Sequence, residues 1–407
     1  MNNFRKLVDK IKPNFLPGGK FEKLHSTFDA IETFLFVPNT TSKSGTHIHD
    51  AVDSKRTMIV VVIALIPALL FGMYNVGFQH YNAIGQPEIG FWSMFWYGFL
   101  AVLPIVIVSY VVGLSIEFAG GQIRKEEVQE GFLVTGMLIP LIVPVDTPLW
   151  MIAVATAFSV IFAKEVFGGT GMNIFNVALV ARAFLFFAYP QSMSGDKVWI
   201  RTGETFGLGG GSVVDGFSGA TPLGQVSTAT TANVDVVNMF GEQYSLMDTI
   251  IGLMPGSIGE TSIIAIGIGA LILLITKVAN WKVMLSVFAG GIFAGLIFNQ
   301  FGPETASANL PWFMHITLGG FAFGAVFMAT DPVTSSRTET GKWIYGFLIG
   351  VLAIVIRVLN PGYAEGMMLA ILLMNIFAPL IDFYVVDANI KKRLKRVKVT
   401  TSERVNK

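Results

Sequence analysis

The sequence predicts an all-α polytopic membrane protein with about ten transmembrane helices arranged as two inverted five-helix repeats. Hydrophobic residues make up 53% of the 407 residues and charged residues only 14%, whereas soluble proteins carry about 25% charged residues. The mean hydropathy is +0.62. A soluble enzyme of this size needs more charge on its surface, and a disordered chain contains far less Phe, Ile and Leu. The composition therefore excludes both classes.

Charge and cysteine content exclude further functions. Lys and Arg number 28 and Asp and Glu 27, which gives a net charge of +1, so no global field favours nucleic acid as a partner. The chain contains no cysteine. Disulfides, thiolate catalysis, thiolate-held iron–sulfur clusters and cysteine-based zinc sites are therefore excluded within it.

Stretches of predominantly apolar residues divide the chain into five parts. Residues 1–57 contain interspersed charges and no signal-peptide core, so we expect a cytoplasmic tail with short amphipathic helices. A spanning helix needs about 20 apolar residues, or fewer where neighbours shield it. The predicted spans are 58–76, 94–118, 131–144, 149–163, 172–189, 261–278, 283–301, 312–330, 343–358 and 366–386. The predicted parts after the tail are a first repeat at 58–190, an external loop at 191–245, a second repeat at 246–387 and a basic cytoplasmic tail at 388–407. Residues 246–256 are predicted to form a re-entrant piece broken by Pro255 and Gly256.

The distribution of basic residues predicts the orientation. Lys and Arg are frequent in the N-terminal tail and in the run 391–398, whereas loops 79–90 and 302–310 contain none. Because cytoplasmic loops carry an excess of Lys and Arg, we expect both termini on the cytoplasmic side of a bacterial inner membrane and the long loop outside. Arg357, near a predicted outer end, is the exception.

Two short sequence echoes suggest the inverted repeat. Residues 172–175 and 374–377 both read Met-Asn-Ile-Phe, and Gly131-Phe132 before Asp146 is loosely matched by Gly320-Phe321 before Asp331. Five spans per half place the second copy upside down, and transporters with inverted repeats form their sites between the halves.

The outer loop contains the most informative motif, Asp-Gly-Phe-Ser-Gly-Ala-Thr at residues 215–221. One interpretation is an ordinary turn rich in Gly and Ser. The motif also resembles the site at which a flavin transferase joins FMN, through its phosphate, to the final threonine hydroxyl. Gly219 and Ala220 leave the Thr221 oxygen accessible, and Asp215 and Ser218 complete the pattern that the transferase recognises.

Further motifs extend the resemblance over the whole chain. They lie at residues 17–20, 124–132, 164–173, 182–190, 255–260, 329–332 and 365–370. With them the chain resembles the B-subunit family of the sodium-translocating NADH:quinone oxidoreductases. The resemblance implies covalent FMN at Thr221, a non-covalent riboflavin in the membrane domain, and quinone reduction coupled to sodium export. It also implies partner subunits and a flavin transferase. The Gly/Ser-rich insertion at 207–212 departs from the family pattern.

Two other functions stay open at this point. The related D subunit of Rnf complexes shares the flavin motif but lacks a long N-terminal extension and does not reduce quinone, so the 57-residue tail favours the first family. A channel or solute transporter with inverted repeats has no use for the flavin motif. The chain lacks a Gly-x-Gly-x-x-Gly motif between a strand and a helix. We therefore expect NADH to be oxidised by another subunit and no catalytic acid or base in this one.

Carboxylates at membrane depth are candidates for a sodium path, because burying one costs about 2.5–3.5 kcal/mol and oxygen ligands suit hard cations. Glu117 and Asp382 fit best. The alternative is a buried structural pair with Arg182 or Arg357. Four other carboxylates lie at predicted span ends, where helix capping or solvation explains them equally well: Asp146, Glu165, Asp331 and Glu365.

Amides and aromatic residues are candidates for the remaining cofactors. Asn173 and Asn176 follow a Gly-rich break, where a carboxamide can bond the edge of riboflavin or cap a helix. Phe184 and Phe186, with Gly113, are the candidates for quinone, although most of the 34 Phe residues serve packing.

The histidines give weaker indications. His47, His49 and Asp50 resemble a metal-binding trio in a polar tail, where we expect them to be solvated. His315 lacks an obvious second axial partner, so we expect no haem.

Overall fold

A computed structural model describes residues 2–16, 18–21, 25–36, 44–45, 54–124 and 131–405. Within these ranges the chain is helical, and its only β contacts are two isolated bridges. The first half contains α1 Asn2–Ile11, α2 His25–Leu35, α3 Ser54–Ala83, α4 Phe91–Arg124, α5 Phe132–Leu141, α6 Leu149–Ala163 and α7 Val177–Ala188. The loop contains α8 Pro222–Thr228. The second half contains α9 Leu246–Ile251, α10 Ile263–Ile275, α11 Trp281–Phe301, α12 Ala306–Asn309, α13 Trp312–Thr317, α14 Phe321–Phe323, α15 Glu339–Leu359 and α16 Met367–Val405.

Six helices in the described part of the chain are long and apolar enough to cross a membrane. Their spans are Arg56–Ala83, Phe91–Arg124, Leu149–Phe167, Trp281–Phe301, Glu339–Leu359 and Met367–Arg396. Three shorter apolar helices, α5, α7 and α10, have 10 to 13 residues. The all-α membrane class agrees with the prediction, whereas the count of ten spanning helices is not confirmed.

The predicted span at 312–330 is the clearest departure from a continuous helix. Here α13 ends at Thr317, and α14 begins at Phe321 and runs into a π-helical stretch, Gly324–Met328. Gly319 has φ +68°, a left-handed conformation that interrupts a right-handed helix. The apolar run is therefore folded as broken helices buried in the protein.

The helices of both halves share one large buried core, in which α3 packs on α4 and α10, and α11 packs on α15. Close approach of α11 and α15 depends on glycine. A Cβ at Gly290 would lie 2.2 Å from the carbonyl oxygen of Phe347, and one at Gly350 would lie 2.1 Å from that of Val287. Small residues at such contacts are typical of helix packing in membranes.

An irregular segment follows α9 and carries part of the site. The helix ends at Gly252, which has φ +91°, so the break precedes the predicted one at Pro255 and Gly256. The amide of Gly259 donates to the carbonyl of Leu141 at 2.8 Å. This pairing with the end of α5 satisfies backbone groups that are buried in the protein, as non-helical backbone at membrane depth requires.

The sequence echoes have unequal structures. Residues 172–175 lie in irregular backbone before α7, whereas residues 374–377 lie inside α16. The two copies of the other echo, which begin at Gly131 and Gly320, both contain a short helical stretch, α5 in one and α14 in the other. An aspartate follows each stretch, Asp146 and Asp331. The inverted repeat stays a prediction.

Candidate functional site

The predicted attachment residue, Thr221, is the N-cap of α8. Its Oγ1 accepts a hydrogen bond from the amide of Gly224 at 3.0 Å, which fixes the hydroxyl at the helix start. Asp215 and Ser218 are exposed, whereas Ala220 is half-buried. The front of the motif is therefore accessible to another protein, and its last residues are held in place.

Two contacts hold the end of this motif. A Cβ at Gly219 would lie 2.5 Å from the carbonyl oxygen of Asp196, so a larger residue displaces the chain. Gln225 in α8 donates to the carbonyl of Val237 at 2.7 Å and accepts from the amide of Val237 at 3.0 Å. Both contacts tie Thr221 to the surrounding loop.

Thr221 lines a cavity of about 490 Å³, which we call the Thr221 cavity. Its walls come from the loop and from both halves of the chain, including Arg182, Ser257, Glu260 and Glu365. The volume lies within the common range for ligand sites, about 300–1,000 Å³. Ser257 is 2% exposed, and its side chain is a hydrogen-bond neighbour of the Glu260 carboxylate.

An ionic cluster forms one wall of the Thr221 cavity. Arg182 in α7 donates to Oε1 of Glu260 at 2.7 Å and pairs through its other terminal nitrogen with Glu365. Arg182 and Glu260 are buried. Because removing one partner from such a pair leaves an uncompensated charge, the cluster holds three distant segments together.

Arg357 extends this cluster from α15. Its guanidinium donates to the carbonyls of His315 at 2.6 Å, Leu318 at 3.3 Å and Glu365 at 3.2 Å. His315 is fully buried. The predicted alternative, a buried pair of Glu117 or Asp382 with one of these arginines, is therefore wrong. Arg182 pairs with Glu260 and Glu365 instead, and Arg357 donates to backbone carbonyls.

A second cavity of about 200 Å³, the Asp331 cavity, brings together the amide candidates. Asn173 and Asn176 line it with Asp331 and Lys164. Asn176 caps α7 by accepting from the amides of Ala178 and Leu179, so the capping interpretation is confirmed for this residue. Its Nδ2 also donates to Asp331 at 3.4 Å.

The two cavities lie at different ends of the helices. The Asp331 cavity contacts Thr57 near the start of α3 and Val278 just after α10, whereas the Thr221 cavity contacts the segments before α10 and before α16. The two cavities therefore lie at opposite ends of the helix bundle.

Glu117 is buried in α4 and forms an ion pair with Lys164, just after α6. The side chain of Lys164 is only 5% exposed. Oε2 of Glu117 has no hydrogen-bond partner among the described residues. Neighbouring Glu165 pairs with Arg124 at 2.5 Å.

Asp382 has a different environment from Glu117. Its carboxylate accepts from the hydroxyl of Ser336 at 2.6 Å, the amide of Arg337 at 2.7 Å, and the amide and hydroxyl of Thr338 at 3.0 and 2.6 Å. It is half-buried and joins α16 to the turn before α15. Asp382 therefore anchors the turn before α15 to α16 through these hydrogen bonds.

The quinone candidates have separate surroundings. A Cβ at Gly113 would lie 1.8 Å from the ring of Phe132, which explains the glycine by packing. Phe184 stacks on Phe158 at a centroid distance of 4.5 Å. Phe186 contacts Tyr363 edge-on at 4.5 Å and lines the Thr221 cavity, whereas Gly113 and Phe184 line neither cavity.

The candidate metal trio lies outside the described residues: His47, His49 and Asp50. Among the residues that the structure does describe, no group of three or more His, Asp or Glu side chains is placed to hold a metal.

Comparison with known proteins decides the family. Residues 41–391 match the model of the NQR2, RnfD, RnfE family. The chain belongs to this family. It is 46% identical over 415 aligned positions to the B-subunit of the Na(+)-translocating NADH-quinone reductase from Ectopseudomonas mendocina, covering 96% of this chain and 99% of that one. The proteins of the same name from Azotobacter vinelandii and Chromohalobacter salexigens are 45% and 44% identical, again over 96% of this chain and over 99% and 96% of theirs.

The sequence pattern missed several site residues that the structure brings together. Glu260, Ser257 and Lys164 were not candidates, although Glu260 and Ser257 lie in a motif that carried the resemblance. Glu260 could have been predicted as a site residue, because it is a charged residue close to a Pro-Gly break at membrane depth.

Proposed function

We propose that this chain is the flavin-carrying membrane B-subunit of a sodium-translocating NADH:quinone oxidoreductase. Full-length relatives of that name support the proposal, and Thr221 on the wall of a ligand-sized cavity is the observation that carries it. We place the chain in the bacterial inner membrane, with both termini on the cytoplasmic side.

The Thr221 cavity fits a covalently attached FMN. The Thr221 hydroxyl is the attachment atom, and Asp215 and Ser218 are exposed for a flavin transferase. Ser257 and the Arg182 cluster with Glu260 and Glu365 supply polar groups on the cavity wall that can bond the flavin. Bound flavin supplies one- and two-electron transfer, and these residues hold and orient it.

The Asp331 cavity is our proposed riboflavin site. Asn173, Asp331 and Lys164 provide a donor and acceptor set suited to the polar edge of a flavin ring. At about 200 Å³, the cavity is smaller than the usual range of about 300–1,000 Å³, so binding requires side chains to move apart. Loss of riboflavin from Asn173→Ala, with covalent FMN retained, tests this site.

Electrons enter from a partner subunit that oxidises NADH and leave to quinone, with Phe186 as the aromatic candidate nearest a cavity. We assign Glu117 to the sodium path, since the pairing with Lys164 gives a buried carboxylate whose counter-charge a cation can replace. Asp382 remains a weaker candidate because four hydrogen bonds already satisfy it.

The alternatives are less well supported. The family also contains Rnf subunits, but relatives of the B-subunit name match over 96% of this chain. A channel or solute transporter would carry no covalent flavin.

Loss of flavin at one hydroxyl tests the proposal. In the complete complex, Thr221→Val should abolish the in-gel fluorescence of this subunit, and Thr221→Ser should retain part of it because a hydroxyl remains. The matched control is Thr228→Val, since Thr228 lies in the same short helix and lines the same cavity. Fluorescence that survives Thr221→Val would disprove the attachment site.

A further inference from the structure

The Gly-rich insertion belongs to a folded loop that covers one end of α3 and α4. Thr205 and Leu208 exchange two backbone hydrogen bonds at 2.9 Å around a tight turn. In this turn Phe206 has φ +49° and Gly207 φ +82°. A positive φ is strained for a bulky residue such as phenylalanine, so other contacts must hold the loop down.

His80, near the end of α3, supplies two of these contacts. Its Nδ1 lies 2.7 Å from the carbonyl oxygen of Arg201, and its Nε2 lies 2.9 Å from that of Gly209. His80 is fully buried and stacks on Tyr97 with a centroid distance of 3.8 Å. Tyr97 itself donates to the carbonyl of Gly203 at 2.6 Å.

Both partners of the imidazole are carbonyl oxygens, which only accept hydrogen bonds. A neutral imidazole has one N–H and can satisfy one carbonyl, whereas an imidazolium donates from both nitrogens. The neutral ring would place a lone pair against a carbonyl oxygen at hydrogen-bond distance. The ring face of Tyr97 also favours a cation.

We propose that His80 is a positioning residue whose protonated form clamps the segment 201–209. This segment, which precedes the flavin motif in the chain, is then held more firmly at acidic than at alkaline pH. The clamp reaches the motif through the chain itself, because the amide of Val214 donates to the carbonyl of Ala83 at 3.0 Å, directly before Asp215. This inference goes beyond the proposed function and does not depend on a bound flavin.

Other charged groups act on the same site. Burial of the ring is the largest effect that opposes the imidazolium, and the Arg201 guanidinium opposes it too. Tyr81 contacts the ring edge-on. Histidine changes charge within about pH 5–8, and the carboxyl of Asp146, in the turn after α5, also acts on Tyr97. A test must therefore separate His80 from Asp146.

Hydrogen exchange of the purified complex in lipid nanodiscs measures the clamp directly. Peptides covering residues 201–214 are followed at several pH values and corrected for the intrinsic exchange rate. In the wild type we expect protection to fall about tenfold between about pH 5.5 and pH 8, since one charge-assisted hydrogen bond is lost. Protection that stays constant over this range in the wild type would overturn the proposal without any variant.

Two variants identify the titrating group. His80→Gln carries no group that gains or loses a proton in this range, so protection should be independent of pH. Tyr97→Phe keeps the stacked ring and removes the hydroxyl that donates to the carbonyls of Gly203 at 2.6 Å and Arg201 at 3.5 Å, so protection should be lower throughout but still depend on pH. A pH dependence that persists in His80→Gln would assign the effect to Asp146 or another group and refute the clamp.

Discussion

The buried pair of Glu117 and Lys164 allows a prediction of defined size. Both side chains are at most 5% exposed, so solvent does not screen either charge. Removing one partner of a buried ion pair costs about 3–5 kcal/mol, whereas replacing both with apolar residues of similar volume is neutral or stabilising. We therefore expect Lys164→Met to lower the free energy of unfolding by about 3–5 kcal/mol.

The matched double variant Glu117→Leu/Lys164→Met tests the cause. It should recover the stability of the wild type to within about 1 kcal/mol, because no charge is left unpaired. The measurement is the unfolding midpoint of the purified complex in denaturant or heat. If the double variant is as unstable as the single one, packing and not charge explains the loss.

Sodium dependence then separates an ion site from a purely structural pair. In Lys164→Met the carboxylate of Glu117 lacks its counter-charge, and a sodium ion can supply it. At a sodium concentration of about 100 times the dissociation constant, binding adds about 2.7 kcal/mol of stability. We expect this gain in Lys164→Met with sodium and not with choline at equal ionic strength. The double variant should show no gain, and a choline effect equal to that of sodium would refute the ion site.

Three further outcomes follow from the contacts described above. Gly219→Ala should reduce covalent flavin strongly while leaving the amount of assembled complex unchanged, as in-gel fluorescence against protein stain will show; full labelling would contradict the tight contact there. Asp382→Ala should destabilise the complex by about 2 kcal/mol, because the buried hydroxyl of Ser336 and the half-buried donors of Thr338 lose their acceptor. A normal sodium half-saturation of quinone reduction in that variant would exclude Asp382 from the sodium path. A reporter active only in the periplasm should be active after Ser212 and silent after Lys398, and the reverse pattern would overturn the orientation.

Local pattern predicted the helices better than the contacts between them. Apolar runs located α3, α4, α11, α15 and α16 closely, because each is long enough to be recognised by composition alone. The break at Gly319 was missed, since two glycines in an apolar run do not disclose a left-handed φ.

The site residues show the same limit. Thr221 was predicted because its motif is contiguous, whereas the pairing of Glu117 with Lys164, 47 residues apart, was not predicted. The partners of Asp382 were not predicted, because its four donors come from a turn 44 to 46 residues earlier in the chain. Pairings of this kind depend on tertiary structure and leave no periodic signal.

The cluster around Arg182 also constrains the order in which the protein is made. Glu260 and Glu365 follow Arg182 by 78 and 183 residues. At a synthesis rate of about 5–20 residues per second, the guanidinium waits about 4–16 s for its first partner and about 9–37 s for its second. During that time α7 carries an unpaired charge, which costs about 2.5–3.5 kcal/mol at the centre of a bilayer. We therefore expect the helix that leads into the loop with the flavin motif to reach its final depth only after the second half of the chain has been inserted.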